Sequence, residues 1–502
     1  MAGADRLDPK VLKTAGVLVA GVLAVVFDTT IVGVALHSLA ADLHTTVATV
    51  QWVTTAYLLA LGMTVPLSTW AMARFGGKRV WLVSLAVFLA GSVASSAAWD
   101  APALIAGRVV QGIGGGLMLP VMTTLIVRAA GGRLLGRTTS IITLPALLGP
   151  ILGPLAGGLI LTHLSWRWMF WVNVPFCVVG LVLAARFLDR DEPTSRPRLD
   201  VAGLGLLAPG IAAVLLGLSR APDGGFAHGG VLVPLISGVA LVAGFGLYAV
   251  RRSDPLVDLR LFAHRPTASG SAVLFFSGFT LYGAVLLLPL YYQQVRGTSA
   301  LDAGVALIPQ GVGTLLSRSL AGRLTDRFGA RVVAVAGFLV VGATTVPFAY
   351  ADAQTSTWSL AGLLVLRGIG LGAVTVPVMA VAYLGLDRAQ IAHASALTRI
   401  AQQIGGSFGT AVLAVLLQHA ITGSDDLAAA FQRAFWWSTA FAALAALLAL
   451  TLPRKERGSG TSSFRPCASA PVRRRPPKRR HRKAAEPEAA AIAEASRRAA
   501  AR

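Results

Sequence analysis

Long apolar runs separated by short basic loops fill the chain from residue 14 to residue 452. A membrane-crossing helix needs roughly 20 mostly apolar residues. Fourteen runs reach that length: about 14–36, 49–70, 80–98, 102–127, 138–161, 169–188, 201–219, 230–250, 268–292, 301–322, 332–350, 357–382, 394–420 and 431–452. Charge alternates between the loops. With a cytoplasmic N-terminus, the inner loops and flanks hold 24 Lys and Arg, whereas the outer loops hold four: Arg167, Arg220, Arg296 and Arg433. A missed or invented span would scramble that split, so the positive-inside rule supports the count and predicts that both termini are cytoplasmic. Residues 1–13 are polar, and the first run is too long for a cleavable signal, which predicts a retained first span.

The pattern also repeats. Gly322-Arg323-Leu324-Thr325-Asp326-Arg327-Phe328-Gly329-Ala330-Arg331 has an altered copy 253 positions upstream, Thr69-Trp70-Ala71-Met72-Ala73-Arg74-Phe75-Gly76-Gly77-Lys78. At offset 256, Gly112-Ile113-Gly114-x-Gly116 matches Gly368-Ile369-Gly370-x-Gly372. Two similar offsets within apolar sequence mean that one half was built twice. The predicted fold is an all-α integral membrane protein with two pseudo-symmetric six-helix bundles and two inserted central helices. Its parts are a cytoplasmic N-terminus (1–13), a first bundle (14–188), a linker with the inserted pair (189–267), a second bundle (268–452) and a basic cytoplasmic tail (453–502). Duplicated membrane chains of this kind are secondary transporters with a site between the halves.

Composition sharpens the picture. Only 13% of residues are charged, against about 25% in soluble domains, so most of the surface must face lipid. Two cysteines, Cys177 and Cys467, support neither a disulfide framework nor a metal site. The run Val472-Arg473-Arg474-Arg475-Pro476-Pro477-Lys478-Arg479-Arg480-His481-Arg482-Lys483 suits nucleic acid by charge alone. A disordered cytoplasmic tail resting on anionic lipid is the favoured account. Inner-loop bias keeps the rest of the chain basic, so the net charge of +22 does not argue for nucleic acid. No specific nucleic-acid partner and no cofactor is expected.

The chemistry concentrates in a few positions. Of 22 acidic residues, Asp28 alone lies well inside a span. A carboxylate in hydrocarbon must be paired, wetted or protonated, the requirements of a proton carrier; a helix-tethering Asp meets them too. Arg108 lies within about two residues of the same depth, or ~3 Å along the axis, and Gln111 and Gly112 lie one turn away. Arg108 is a candidate fixed charge or helix-packing donor. Arg367 is the other deep arginine; it aligns with Gln111 and suits an anionic or zwitterionic ligand, or backbone carbonyls. Arg318 and Arg399 lie near inner ends and are expected to snorkel. Tyr57, Phe279, Tyr282 and Gln293 are cavity candidates beside Gln111 and Arg367, although most aromatics in spans face lipid. Gly149, Gly153 and Gly157 recur every four residues and predict close helix approach, with Pro150 and Pro154 bending that helix.

Several of these stretches together resemble the major facilitator superfamily, and within it the fourteen-span drug:proton antiporter branch. The loop motif carries Gly322, Asp326, Arg327, Gly329 and Arg331 in the second half, and Arg74, Gly76, Lys78 and Arg79 in the first. The fourth span carries Arg108, Gln111, Gly112 and Gly116. The antiporter motif reads Gly149, Gly153, Pro154, Gly157 and Gly158, followed by Trp166-Arg167-Trp168-Met169-Phe170-Trp171-Val172-Asn173-Val174-Pro175. Asp28-Thr29-Thr30-Ile31-Val32 and Gln51-Trp52-Val53 also fit, with Gly33 and His37 as departures.

The resemblance implies a proton-driven exporter of lipophilic organic compounds in the plasma (inner) membrane, working as a monomer. It makes Asp28 and Arg108 the proton-coupling pair and the loop residues the gate. Thr69 and Ala73 replace the family's glycine and aspartate in the first loop, which implies a shifted inward–outward balance. Alternatives are an exporter of a single metabolite or antibiotic, a nutrient symporter, and a membrane sensor or enzyme. A phosphate-cradling loop is missing: Gly76-Gly77-Lys78-Arg79 has neither the glycine spacing nor the Ser/Thr.

Overall fold

The computed structural model describes residues 9–32, 35–130, 153, 156–189, 198–252, 255–423 and 426–454. Its long helices are α1 (Pro9–Ile31), α2 (Val47–Thr64), α3 (Leu67–Phe75), α4 (Gly77–Ser96), α5 (Ala101–Ala129), α6 (Asn173–Phe187), α7 (Val201–Gly224) and α8 (Gly229–Arg251). They continue with α9 (Arg265–Leu290), α10 (Ile308–Phe328), α11 (Ala330–Thr345), α12 (Thr357–Ala382), α13 (Arg388–Thr422) and α14 (Leu427–Ala449). Among the described residues ten helices are long and apolar enough to cross a membrane, and α2 with α3 makes an eleventh. The tenth and fourteenth predicted runs are helical as α10 and α14 but less apolar. Most of the fifth run, 138–161, lies outside the described residues; residue 153 and residues 156–161 of it are helical.

Two predicted spans are not continuous. The second bends by 54° between α2 and α3, at Pro66, which has no N–H to donate and whose ring crowds the preceding turn. The tenth divides into Ala300–Ala306 and α10. Pro309 sits in the first turn of α10, where an absent N–H breaks no helical bond.

The duplication is legible in three dimensions. In the first half α5 packs on α2 and α4, and α6 packs on α1 and α4; in the second, α12 packs on α10 and α11, and α14 packs on α9 and α11. The repeated glycines explain how closely. A methyl group on Gly112 would sit 2.5 Å from the Tyr57 carbonyl oxygen, and one on Gly368 would overlap the Gln310 carbonyl, 253 positions later. Gly76 and Gly329 end α3 and α10 with φ of 82° and 86°, a conformation in which a Cβ is strained. Gly112→Val and Gly368→Val are each expected to cost about 1–3 kcal/mol through overpacking. Thermal unfolding in detergent checks this, with Gly362→Ala, which meets nothing within 4 Å, expected to be neutral.

The inserted hairpin α7–α8 bridges the halves, since α7 touches both α2 and α13. Asp200 fastens its base, accepting from Gly203 N (3.1 Å), Tyr248 Oη (2.7 Å) and Leu256 N (3.3 Å). The Lys10 ammonium bonds Asp189 at 2.7 Å and holds that exposed carboxyl below its ordinary range.

The halves also meet directly at the end carrying the Arg-rich loops. Met122 and Ile126 of α5 share one buried apolar cluster with Ala394 and Leu397 of α13, and Ser395 Oγ donates to the Pro120 carbonyl at 3.2 Å. At the opposite end the large clusters are separate: Leu39, Val50 and Phe170 in one half, Leu287, Phe348 and Phe431 in the other.

Candidate functional site

Asp28, Arg108, Gln111, Asn173 and Ser92 converge from α1, α5, α6 and α4 into one buried polar node, each at most 1% exposed. Small residues make the convergence possible. Gly91 on α4 lies against the backbone of Gln111, and a methyl on Gly107 of α5 would sit 2.9 Å from Ser95 N. Within the node, Arg108 Nη1 pairs with Asp28 Oδ2 and donates to Gln111 Oε1 at 2.8 Å. Gln111 Nε2 donates to Asp28 Oδ1 at 2.9 Å and Asn173 Nδ2 donates to the same oxygen at 3.0 Å. Ser92 Oγ accepts from both amides, at 3.2 and 3.1 Å, and donates to the Phe170 carbonyl at 2.9 Å.

Arg108 is held from outside the node as well. Its Nε donates to the Val53 carbonyl at 3.1 Å, and its guanidinium carbon lies 3.9 Å from the centre of the Tyr57 ring. Tyr57 Oη in turn donates to the Val25 carbonyl at 3.4 Å. One group is left over: Nη2 of Arg108 is buried without a hydrogen-bond partner. The pair is neutral overall, yet its guanidinium has unused bonding capacity, a costly arrangement in a low-dielectric interior. Chemically, the node can exchange a proton at Asp28 Oδ2 for the bond to Arg108. Doing so releases a cation that already has a free donor.

Other candidates fall elsewhere. Arg367 is 2% exposed and forms a second node: its Nε donates to Thr345 Oγ1 (3.3 Å), Nη1 to Gln310 Oε1 (2.9 Å) and Nη2 to the Thr280 carbonyl (3.3 Å). Next to it in sequence, Phe279 belongs to an aromatic cluster with Phe276, Phe408 and Phe441, its ring centre 4.3 Å from that of Phe441. Tyr282, half-buried, packs where a methyl on Gly406 would meet it at 2.6 Å. Gln293 is exposed on a π-helical turn, Tyr291–Val295, away from both nodes.

Of the antiporter motif, Gly153, Gly157 and Gly158 are buried, and a methyl on Gly157 would lie 2.9 Å from the Ile31 carbonyl at the end of α1. Gly149 and Pro154 lie outside the described residues. In the loops, Lys78 Nζ donates to the Ala185 and Leu188 carbonyls at 2.8 and 2.6 Å, closing the C-terminus of α6, where a cation is favoured. Arg74 and Arg327 lie over Phe75 and Phe328, at 5.7 and 5.2 Å. Gly322 is buried in α10 and Arg331 half-buried in the first turn of α11, and Asp326 sits in the last turn of α10.

Sequence reasoning did not bring Ser92 or Asn173 into the site. An asparagine cannot carry a proton at working pH, and Asn173 contributes here as a donor to Asp28. Arg399 differs from expectation: it is half-buried, bonds Gln402 at 3.3 Å and leaves its Nε unpartnered. A position near a span end does not decide which way a side chain faces.

The sequence profile of the Major Facilitator Superfamily matches residues 18–410. The chain belongs to that superfamily. It is therefore a multi-pass membrane transporter, built as the duplicated helix bundle predicts. Multidrug resistance protein B homolog of Mycobacterium tuberculosis is 39% identical over 430 residues, covering 85% of this chain and 80% of that protein. Lincomycin resistance protein LmrB of Bacillus subtilis is 30% identical over 397 residues, covering 79% and 83%. Among solved structures, the superfamily proton:xylose symporter XylE bound to 6-bromo-6-deoxy-D-glucose overlays with a TM-score of 0.60 at 16% identity, covering 88% of this chain and 95% of that one. That likeness concerns the fold alone.

Proposed function

We propose that this transporter exports lipophilic organic compounds in exchange for protons, as a member of the fourteen-span drug:proton antiporter branch. The observation that carries the reading is the Asp28 node, a buried carboxylate whose partners are one arginine and two amides. In the proposed cycle, protonation of Asp28 at Oδ2 withdraws the acceptor from Arg108. The freed guanidinium then favours a rearrangement of α1 against α5. Loss of that proton on the opposite side restores the pair and resets the carrier. Relatives named for multidrug and lincomycin resistance support organic, toxic cargo. The close approach of Gly157 to α1 supports a tight seal beside the proton site.

In this reading the Arg-rich end is cytoplasmic, and the protein acts as a monomer in the plasma (inner) membrane with cargo, protons and lipid as its partners. The apolar cluster joining α5 and α13 then closes the cytoplasmic side. Ala73, where the second loop has Asp326, is proposed to shift the balance between the two facing states. A dedicated exporter of one antibiotic is the second reading, favoured by the relatives named for lincomycin resistance.

The test uses the full chain in liposomes with an imposed proton gradient and a panel of lipophilic cations and neutral drugs. Proton efflux that starts on adding a compound, together with uptake of that compound, is the expected result. Uptake that ignores the gradient would refute antiport, and flux with a single compound would favour the dedicated exporter.

A further inference from the structure

The second node is a rebuilt copy of the first with the acid removed. Applying the offset of the loop repeat, Tyr57 corresponds to Gln310 and Ser92 to Thr345, while Gln111 corresponds to Arg367 at the offset of the glycine repeat. Asp28 falls opposite Leu281, next to Thr280. The partners of Arg367 are thus the counterparts of the first node's own residues, or their neighbours: Gln310, Thr345 and the carbonyl of Thr280. All three are neutral. Among the described residues no carboxylate bonds or pairs with Arg367.

A guanidinium carries five N–H donors and stays charged. Three are used here, by Thr345, Gln310 and Thr280, which leaves two. A buried charge without a counter-charge is among the most expensive groups a membrane interior holds. The first half solves that problem with Asp28; the second half leaves it open. A planar guanidinium with spare donors matches a carboxylate by charge and geometry.

We infer that the Arg367 node is a cargo subsite for the carboxylate of an organic acid or zwitterion, with Gln310 as the neutral group that the carboxylate displaces. The inference deepens the exporter reading and rests on it for the word cargo, but its test reads binding alone. Occupation by an anion completes the ion pair that the duplication lost. The two halves then divide the work: a proton acceptor with its own cation in one, a cation awaiting an acceptor in the other.

The experiment titrates purified full-length protein in detergent with 2-naphthoate and with methyl 2-naphthoate, a neutral analogue with the same ring system. Wild type is expected to bind the acid about tenfold more tightly than the ester, which corresponds to about 1.4 kcal/mol. Arg367→Gln should remove that preference and leave ester affinity unchanged. Gln310→Glu provides a built-in carboxylate for Arg367; it should also abolish the preference, with a melting temperature no lower than wild type. That variant keeps the test valid if Arg367→Gln fails to fold. Asp28→Asn should keep the preference, so loss of proton coupling and loss of this subsite are separable. Equal affinity for acid and ester in wild type, or a preference that survives both Arg367→Gln and Gln310→Glu, would overturn the assignment.

Discussion

Asp28→Asn is expected to abolish compound-driven proton flux while cargo still binds. The substitution keeps size and planarity but removes the group that gains and loses the proton. Of the three donors that converge on Asp28, two, from Gln111 and Asn173, meet one oxygen, and Arg108 meets the other. An asparagine offers one oxygen and one amide to those sides, so one donor must face another donor. The Arg108 guanidinium also stays buried without its counter-charge, a loss that typically costs about 3–5 kcal/mol and lowers the melting temperature. Flux and melting temperature measured on the same preparation separate lost coupling from lost fold. A variant that binds cargo, melts lower and moves no protons is the expected phenotype.

Arg108→Met is expected to be the most destabilising single change at the site. It strips Asp28 of its paired cation and removes the bonds to Gln111 and the Val53 carbonyl. Removing one partner of a buried ion pair typically costs about 3–5 kcal/mol, because the remaining charge stays buried. The double variant Asp28→Asn/Arg108→Met should be more stable than Arg108→Met alone, since no uncompensated charge remains. Thermal unfolding of the two single variants and the double variant gives the coupling energy. Additive losses would mean that the pair does not act as a unit.

Much of the fold is written in features of long range. Apolar runs of about the right length and the alternation of basic loops follow from the membrane itself, and the repeat at offset 253 reappears as glycine contacts against the same relative carbonyls, Tyr57 and Gln310. The break at Pro66 was not legible, because proline is tolerated inside membrane helices where neighbours satisfy the freed carbonyl. The pairing of Asp28 with Arg108 was accessible from depth along two helices.

The rest of the node was not, and for a physical reason. Ser92 and Asn173 are unremarkable in one dimension; they matter because α4 and α6 turn them toward the same oxygen atom and hydroxyl. Gln310 and Thr345 are equally plain until the repeat places them opposite Tyr57 and Ser92. Gln293, another cavity candidate, lies exposed on a π-helical turn that its apolar run does not announce.

Asp28 is proposed to carry the proton that is exchanged for cargo. Proton release on cargo binding measures it directly. Calorimetric titration of one transported compound into the detergent-solubilised protein, in two buffers of different ionisation enthalpy, gives the number of protons exchanged per compound bound. Wild type should release protons on binding, and Asp28→Asn should bind with none released; equal release from both proteins would contradict the account.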